Sequence, residues 1–538
     1  MRDNKQKTII FGVTPFMEIP YMYNRFFLRN NIPNYTIRGH FMKNNEQLAN
    51  LSVSTSLHKN ISFVRHALNQ TDDLKERKFS FQGSLGVAIF LDTLIDYEKI
   101  ERKFLSRIID TTNNSKHLKD FIVASDQSSA SYIQDVSKGL IQGKVAIFLE
   151  GKDEAILFSA TKDADRSIEE PSNEKIVRGS HVGFIENLNS NIQLLRKKIE
   201  HPKLTVKYYR VGKKTNTKLA LVYLASLANQ EIINKIDNRI NHISTDMGFD
   251  PGFVEEFVED RPISPFPQML NTERPDRVMS NILDGKVALL SEGSPTALVF
   301  PVSFFAFYQS PDDYNSRFLV GSFYRIIRMI SFFIAIFVPA FYIATVAFHF
   351  EVIPGDLILP VKNSVERVPY PPIIEALIME LTIELIREAG IRLPSPIGQT
   401  IGIVGGLVIG DAVVQAGLVS NIMIIVVAIT AIASFVIPSP EMNTALRVIR
   451  FPFMFAAASF GYFGIVFCFA ILLIHLCKLQ TFGSPYFAPL APFQLNDLKD
   501  SIFRAPIWKM KRRPIAPLPK EIVQEENSRG WEKDEADK

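Results

Sequence analysis

Between Pro396 and Pro438 two apolar runs stand back to back, and no other feature limits so strongly what this chain can fold into. The first, Ile397 to Leu418, is rich in Ile, Val and Gly; the second extends from Ile422 to Ile437. A helix needs about 20 predominantly apolar residues, about 17 at the lower limit, to cross a hydrocarbon core about 30 Å thick. Ile397–Leu418 meets that requirement, and the second run reaches its lower limit when Asn421 is included. In the first, Gly398, Gly402, Gly406 and Gly410 recur every fourth residue and form one ridge of a helix, along which a neighbouring helix can approach closely.

The apolar residues are unevenly distributed. Before residue 320 charged side chains occur every few positions, whereas long apolar runs dominate from Ile326 to Cys477. A soluble half followed by a membrane block is the expected layout. The net charge of +4 is too small to argue for nucleic acid, and no basic stripe with interleaved aromatics is present. Cys468 and Cys477, the two cysteines, both lie in the last apolar run and provide neither a disulfide framework nor metal-ligand spacing. The apolar stretch Thr8 to Val13 is too short for a secretory signal, so the soluble half is expected on the cytoplasmic side.

Along the soluble half, residues 1–75 lack clean periodicity and read as an extension. Lys78–Phe81 and Gly86–Leu91 read as strands, Tyr97–Ile109 as a helix, and a second helix ends near Leu140. Lys144–Leu149 and Ala155–Phe158 then form a hairpin. The pattern recurs. Gly143-Lys-Val-Ala-Ile-Phe-Leu-Glu-Gly151 returns as Gly285-Lys-Val-Ala-Leu-Leu-Ser-Glu-Gly293, with six of nine positions identical. Ala88–Ile108 aligns with Ala220–Ile240, sharing Ile100/Ile232, Lys103/Lys235 and Arg107/Arg239. The second copy is longer by an insertion that includes the proline-rich Arg261–Pro267. The expected organisation is a duplicated α/β soluble domain, with units at 76–165 and 204–310 joined by a linking helical segment at 166–203. An all-α polytopic membrane domain at 322–477 and a cytoplasmic tail at 478–538 follow. Gly212-Lys-Lys-Thr215 resembles part of a phosphate loop, but Lys207 stands where the first glycine should be, so a turn is expected.

In the membrane half, crossings are expected at 326–350, 397–418, 421–437 and 451–477, with both termini cytoplasmic. Helix 373–389 is an open fifth. At about 100° per residue its Glu380, Glu384, Arg387 and Glu388 share one sector, opposite Ile386 and Glu375. Such a helix either lies in the interface with its charges solvated or buries them inside the assembly. No metalloprotease helix, nucleophile elbow or dinucleotide fingerprint occurs, so no enzyme, catalytic residue, metal site or cofactor is expected.

Several longer motifs, in order, resemble the A subunit of the GerA-type spore germination receptors. They are Val177-Arg-Gly-Ser-His-Val-Gly-Phe184 with Asn187 and Asn191, Phe266-Pro-Gln268 with Thr272-Glu-Arg-Pro-Asp276, Pro311-Asp-Asp-Tyr314, Met379 to Pro394, Ile403 to Gly410, and Phe482-Gly-Ser-Pro-Tyr486. The resemblance covers about residues 170–495 and departs where Asp411 replaces the family's glutamine and Glu366-Arg367 its arginine–glutamate pair. It implies a multi-pass, nutrient-sensing subunit in the spore inner membrane, beside a transporter-like, germinant-binding B subunit and a lipoprotein C subunit. It also implies an oligomer, a pentamer, that forms a germinant-gated ion conduit. A SpoVAF-type accessory paralogue is the near alternative, and a secondary transporter or a scaffold subunit is the rival function.

Within that frame helix 397–418 is the expected pore helix. Thr400, Val404, Val408, Asp411 and Gln415 cluster opposite the glycine ridge, as water-facing positions would. Asp411 would be repeated around one axis, with Val404 and Val408 as the apolar constriction; alternatively Asp411 bonds a neighbouring helix. Glu380, Glu384, Arg387 and Glu388 are expected to couple the soluble half or a partner to the spans, with Glu384 and Arg387 paired across three residues.

Overall fold

A computed structural model of the chain describes residues 51–105, 122, 126–162, 170–248, 250–393, 410–495, 497–524, 529 and 531. Its α/β half contains two five-stranded antiparallel sheets. The first comprises β1 (Leu74–Phe81), β2 (Ser84–Leu91), β3 (Gln127–Ala130), β4 (Lys144–Leu149) and β5 (Ala155–Ser159), in the order β1-β2-β4-β5-β3. The second comprises β6 (Leu204–Val211), β7 (Thr217–Leu224), β8 (Leu270–Thr272), β9 (Val287–Ser291) and β10 (Ala297–Phe300), in the matching order β6-β7-β9-β10-β8. Sequence repetition thus becomes repeated topology. The recurring nine-residue segment forms the central strand of each sheet, because an apolar run of that length suits a strand covered on both faces. Its terminal glycines have positive φ in both copies, 79° and 84° at Gly143 and Gly151, 87° and 84° at Gly285 and Gly293. Residues with a Cβ adopt that conformation only at a cost.

Two expected boundaries shift. Helix α1 (Leu57–Ala67) falls within the expected extension, yet Val64 and the following Leu68 are fully buried in the first unit's core. Its periodicity is obscured because Asn60 is buried as well, its Oδ1 accepting from the Ser54 amide at 2.7 Å. The first unit continues through α2 (Tyr97–Ile100) and α3 (Ile133–Ile141). Helix α4 (Leu188–Lys198), expected as a linker, packs Leu188, Ile192 and Leu195 against Leu204, Val206 and Ala220 of the second unit. It stands before β6 as α1 stands before β1. Helices α5 (Gln230–Asn241), α6 (Pro251–Val258) and α7 (Pro275–Leu283) complete that unit. Gly212–Thr215 lies in the turn between β6 and β7.

The two units are joined by a buried ion pair. Arg196 on α4 donates from Nε and Nη2 to the two Asp73 carboxylate oxygens, each at 2.7 Å, and both side chains are almost fully buried. The hydroxyls of Thr71 and Thr93 also donate to Asp73. Burial alone would raise the Asp73 carboxyl, but the Arg196 charge and these hydrogen bonds hold it below its ordinary value.

The second half is a helical bundle built from α8 (Pro311–Asn315), α9 (Phe318–Phe348), α10 (Gly355–Val365), α11 (Pro372–Arg392), α12 (Asn421–Phe435) and α13 (Pro440–Lys478). α9 leaves the α/β half at Phe318 and reaches the far end of the bundle at Phe348. α13 reverses direction at Gly461, whose φ of 59° and ψ of −141° break the helix. Both of its arms touch the same α9 residue: Phe337 meets Phe453 at 5.1 Å and Phe469 at 5.4 Å. The reversal sits at the far end, where Tyr462 stacks on His349 at 4.8 Å, and the returning arm brings His475 back to Ser264 of the second unit at 2.9 Å. The run expected as one crossing at 451–477 is therefore two antiparallel arms. The run remains apolar through the turn, so hydropathy does not reveal the break at Gly461. α9 starts eight residues before the expected Ile326, and the tail after Lys478 packs on the second unit, with Lys520 donating to Ala225 O at 2.9 Å and Arg513 to Leu283 O at 2.8 Å.

Arg196→Met should destabilise the folded α/β half by about 3–5 kcal/mol at pH 7, because Asp73 is left charged, buried and unpaired. The stability Asp73 supplies is present above the ordinary carboxyl value near pH 4 and is lost as pH falls through its lower folded value. Thermal melts from pH 7 to pH 3 should show that acid-side loss in the native chain, and Arg196→Met should remove it.

Candidate functional site: an ion-paired core in the helical half

α11 starts at a proline in its first turn and carries five ionisable groups between Glu375 and Glu388. Its apolar residues fill the rest of the surface, so the fold has to decide which charges it covers. Glu380, about 1% exposed, pairs with Nη1 of Arg450 on the first arm of α13, and Arg450 Nε donates to Ala335 O of α9 at 2.7 Å. One turn along, Glu384 accepts from Arg447 at 2.5 Å and lies 3.4 Å from Arg387. The Arg387 guanidinium rests on the Phe435 ring at 4.6 Å and reaches Ser434 of α12. α13 and α12 are thereby held to α11, and Arg450 ties α9 to the same cluster. Such pairs in a low-dielectric bundle gain strength from the same desolvation that makes an unpaired member costly.

Two positions on α11 differ from the helical-wheel expectation. Glu388 shares the sector of Glu380 and Glu384, but it is exposed and pairs with Arg392 at 2.6 Å, since the ion-paired face ends one turn earlier. Glu375, on the opposite side, is fully buried because the start of α12 covers it; it accepts from the Ser420 amide at 2.8 Å and from the Ser420 hydroxyl. Ser420 also caps α12 and lies 2.9 Å from the Tyr342 hydroxyl of α9. A carboxylate there faces the positive end of the α12 dipole.

A second charged knot joins the bundle to the α/β half. Arg325, about 1% exposed, donates to Asp313 at 3.0 Å and to the Asp500 carboxylate at 2.8 Å, and Arg328 donates to Asp313 at 2.7 Å. Tyr314 OH donates to Asp500 at 2.7 Å, while Arg504 of the tail donates to the carbonyls of Asp313 and Ser316 at 2.6 and 2.8 Å. Arg325 and Arg328 thus tie α8, α9 and the tail together. The other long motifs converge on this region. Arg274 is fully buried and bridges Asp276 and Ser180 O, and Phe184 N donates to Glu273 O at 2.8 Å. Phe482 packs on Phe300 at 4.8 Å, and Phe266 lies 6.4 Å from buried Tyr486.

Of the expected pore positions, Thr400, Val404 and Val408 lie outside the described residues, as do Gly398, Gly402 and Gly406. The described residues 410–415 are helical; in them Asp411 and Gln415 are exposed and Gln415 Nε2 donates to Asp411 at 2.7 Å. The periodicity of α11 does not point to Arg447 and Arg450 as partners of its carboxylates. Ser439-Pro440 is a helix-start signal, and it places both arginines inside α13 at a spacing that matches Glu384 and Glu380. No group of three or more His, Cys, Asp or Glu able to hold a metal occurs among the described residues.

The architecture defines a class: a duplicated α/β module joined to an apolar helical bundle, in which α9, and α13 when counted across its break at Gly461, are long and apolar enough to cross a membrane. The Bacillus/Clostridium GerA spore germination protein family model matches residues 62–516, and the chain belongs to that family, the A subunits of spore germination receptors. It is 40% identical to spore germination protein A1 of Bacillus subtilis (strain 168), over 84% of this chain and 94% of that protein. It is 38% identical to an uncharacterized membrane protein, YfkQ, of the same strain, over 86% and 91% of the two chains. Among solved structures it resembles the N-terminal domain of the A subunit of the Bacillus megaterium spore germinant receptor GerK3, with 23% identity, a TM-score of 0.38 and coverage of 47% of this chain and 98% of that one. The family is a receptor-subunit family and not a known class of enzyme.

Glu380→Gln or Arg450→Met alone should lower the thermal midpoint of the detergent-solubilised chain by an amount corresponding to about 3–5 kcal/mol. The double variant should recover most of the loss, since neither charge is then left alone. Additive losses would mean that the two side chains act separately.

Proposed function

We propose that this chain is the membrane-embedded A subunit of a nutrient-sensing germination receptor, and that copies of it assemble around an ion path that opens when germinant is sensed. The observation that carries this reading is the exposed Asp411–Gln415 pair beside the apolar run that precedes it. A carboxylate facing lipid is costly, whereas one facing a water-filled axis or a second copy is not. A ring of such carboxylates favours cations, and Val404 and Val408, seven and three residues earlier in the sequence, are the candidates for an apolar constriction that closes by dewetting. Membership of a receptor family supports a transporter-like B subunit, which binds the germinant, and a lipoprotein C subunit as partners. The site of action is the spore inner membrane and the oligomer a pentamer.

In this reading the bundle makes six passes: α9 outward, α11 back, the connection from Arg392 to Ser420 outward, α12 back, and the two arms of α13. The α/β half and the tail then share the cytoplasmic side, as their mutual hydrogen bonds require. A cysteine placed at Ser459, beside the reversal, should react with an impermeant thiol reagent from the outer face, and one at Lys520 should not. Labelling at 520 from outside would overturn the topology.

The channel is tested with the purified assembly in liposomes. Asp411→Asn should reduce cation preference, and Val408→Ala should leak without germinant. If both variants assemble and neither alters selectivity or resting conductance, the path lies elsewhere. Substrate-coupled exchange in place of conductance would support a secondary transporter, and neither would support a scaffold.

A further inference from the structure

The loop from Lys175 to His181 contains one lysine, one arginine and no acid, and its tip stands away from the protein: Val177 is 94% exposed, and Lys175 and Arg178 are exposed beside it. The backbone under that tip is nevertheless fixed. Asp312 Oδ1 accepts from the amides of Val177 and Arg178 at 3.2 and 3.3 Å, Asn315 Nδ2 donates to Arg178 O at 2.8 Å, and Arg274 Nη2 donates to Ser180 O at 2.7 Å. Glu174, at the start of the loop, accepts from Thr272 and pairs with Arg277 of α7. Gly179 has a φ of 139°, and a Cβ there would lie 2.5 Å from Asn315 Nδ2, so the turn needs glycine. Arg317, two residues beyond Asn315, is exposed as well. Among the described residues the side chains of Lys175, Arg178 and Arg317 have no partner. The nearby acids are engaged: Asp312 by the loop amides, Glu170 by His181 at 2.7 Å, and Asp276 by Arg274 at 2.6 Å.

A second exposed surface has the opposite balance. Residues 255–263 contain four acids and one cation, Arg261. Phe257 is half exposed and Ile263 is 98% exposed, while Glu256 and, at the start of α6, Asp250 face solvent. Glu255 and Glu259 are hydrogen-bonded to each other, which places one proton between them and leaves the pair one negative charge. Asp260 is committed to Arg239.

The two surfaces lie on opposite sides of one sheet. α6 packs Val254 and Val258 on the face of the second sheet that carries Leu219, Leu221 and Leu289. α7, to which the loop is tied, packs Val278 and Ile282 on the face that carries Ala220, Val222 and Ala288. They also lie at one depth: Ile263 adjoins Ser264, which bonds His475 near the end of α13, and the loop is held by Asp312 and Asn315, just ahead of α9. A contact between unlike faces is head-to-tail, and repeated about an axis along the bundle it closes into a ring.

We propose that copies of this chain meet head-to-tail through these surfaces, the loop 175–181 of one copy seated on α6 and Ile263 of the next, with Val177 against Phe257 and Ile263 and Arg178 against Glu256. The inference rests on the assembly of copies proposed above and supplies its contact. An apolar centre within a charged rim is the usual anatomy of such a contact, and a loop already held in shape loses little freedom on docking.

The test uses the full chain in native membranes, with Cys468→Ala/Cys477→Ala as background. Val177→Cys/Phe257→Cys treated with a short bismaleimide should give a ladder of covalently joined copies. Either cysteine alone should give none, because like faces do not meet. Arg178→Glu should lower the linked fraction roughly threefold or more by setting two carboxylates together, and adding Glu256→Arg should restore it. Linking by Val177→Cys alone overturns the head-to-tail arrangement, and a ladder indifferent to Arg178→Glu overturns the charge pairing. No ladder from an assembly that still migrates as an oligomer on native gels overturns this interface, leaves the oligomer standing and assigns the loop to another occupant. A chain that migrates as a monomer removes both.

Discussion

A charge inside an apolar bundle is tolerated only when its partner is built in, and that condition organises the helical half of this protein. Glu380 and Glu384 are one turn apart on α11; Arg450 and Arg447 are three residues apart on the first arm of α13. Matching those spacings sets the register of the two helices. Arg450 also holds an α9 carbonyl, and Arg387 reaches α12, so one short charged stripe positions the surrounding helices. Removing Glu380 or Arg450 would leave its partner buried in a medium that cannot solvate it. The specificity thus comes from a penalty on every alternative register, and the apolar contacts, being interchangeable, contribute mainly stability.

The duplication in the α/β half has been put to asymmetric use. The first unit reaches the second through Asp73 and Arg196 and through bonds beside them, the Asp72 amide donating to Val206 O and the Tyr208 amide to the Asp72 carboxylate. The second unit is attached to the bundle directly, and the segment that does this is the insertion by which the two copies differ: Ser264 bonds His475, and Phe266 stacks on the same ring. Prolines on either side hold that loop extended without needing a sheet partner. A repeat that arose as two equal copies has become one structural base and one outlying module.

The junction below α9 adds the tail to the same framework. Asp313 accepts from Arg325 and Arg328 of α9, and the main chain around it is held by Arg504, so a shift of α9 cannot occur without rearranging both the α/β half and the tail.

The sequence by itself determined the class of this protein. Two apolar runs, a hydrophobic block after residue 326 and a nine-residue repeat were enough for an α/β duplication ahead of a helical half, because period and run length are local properties that any packing must respect. The acidic face of α11 was also legible as a face. Tertiary structure decided what periodicity cannot encode: that Glu380 and Glu384 meet Arg450 and Arg447, that Glu388 stays outside while Glu375 is covered, and that α1 and α4 open the two units. It also decided that the last apolar run turns back at Gly461. Apolar composition is identical on both sides of a reversal, and a charge does not announce its partner's position; only the three-dimensional path brings them within reach.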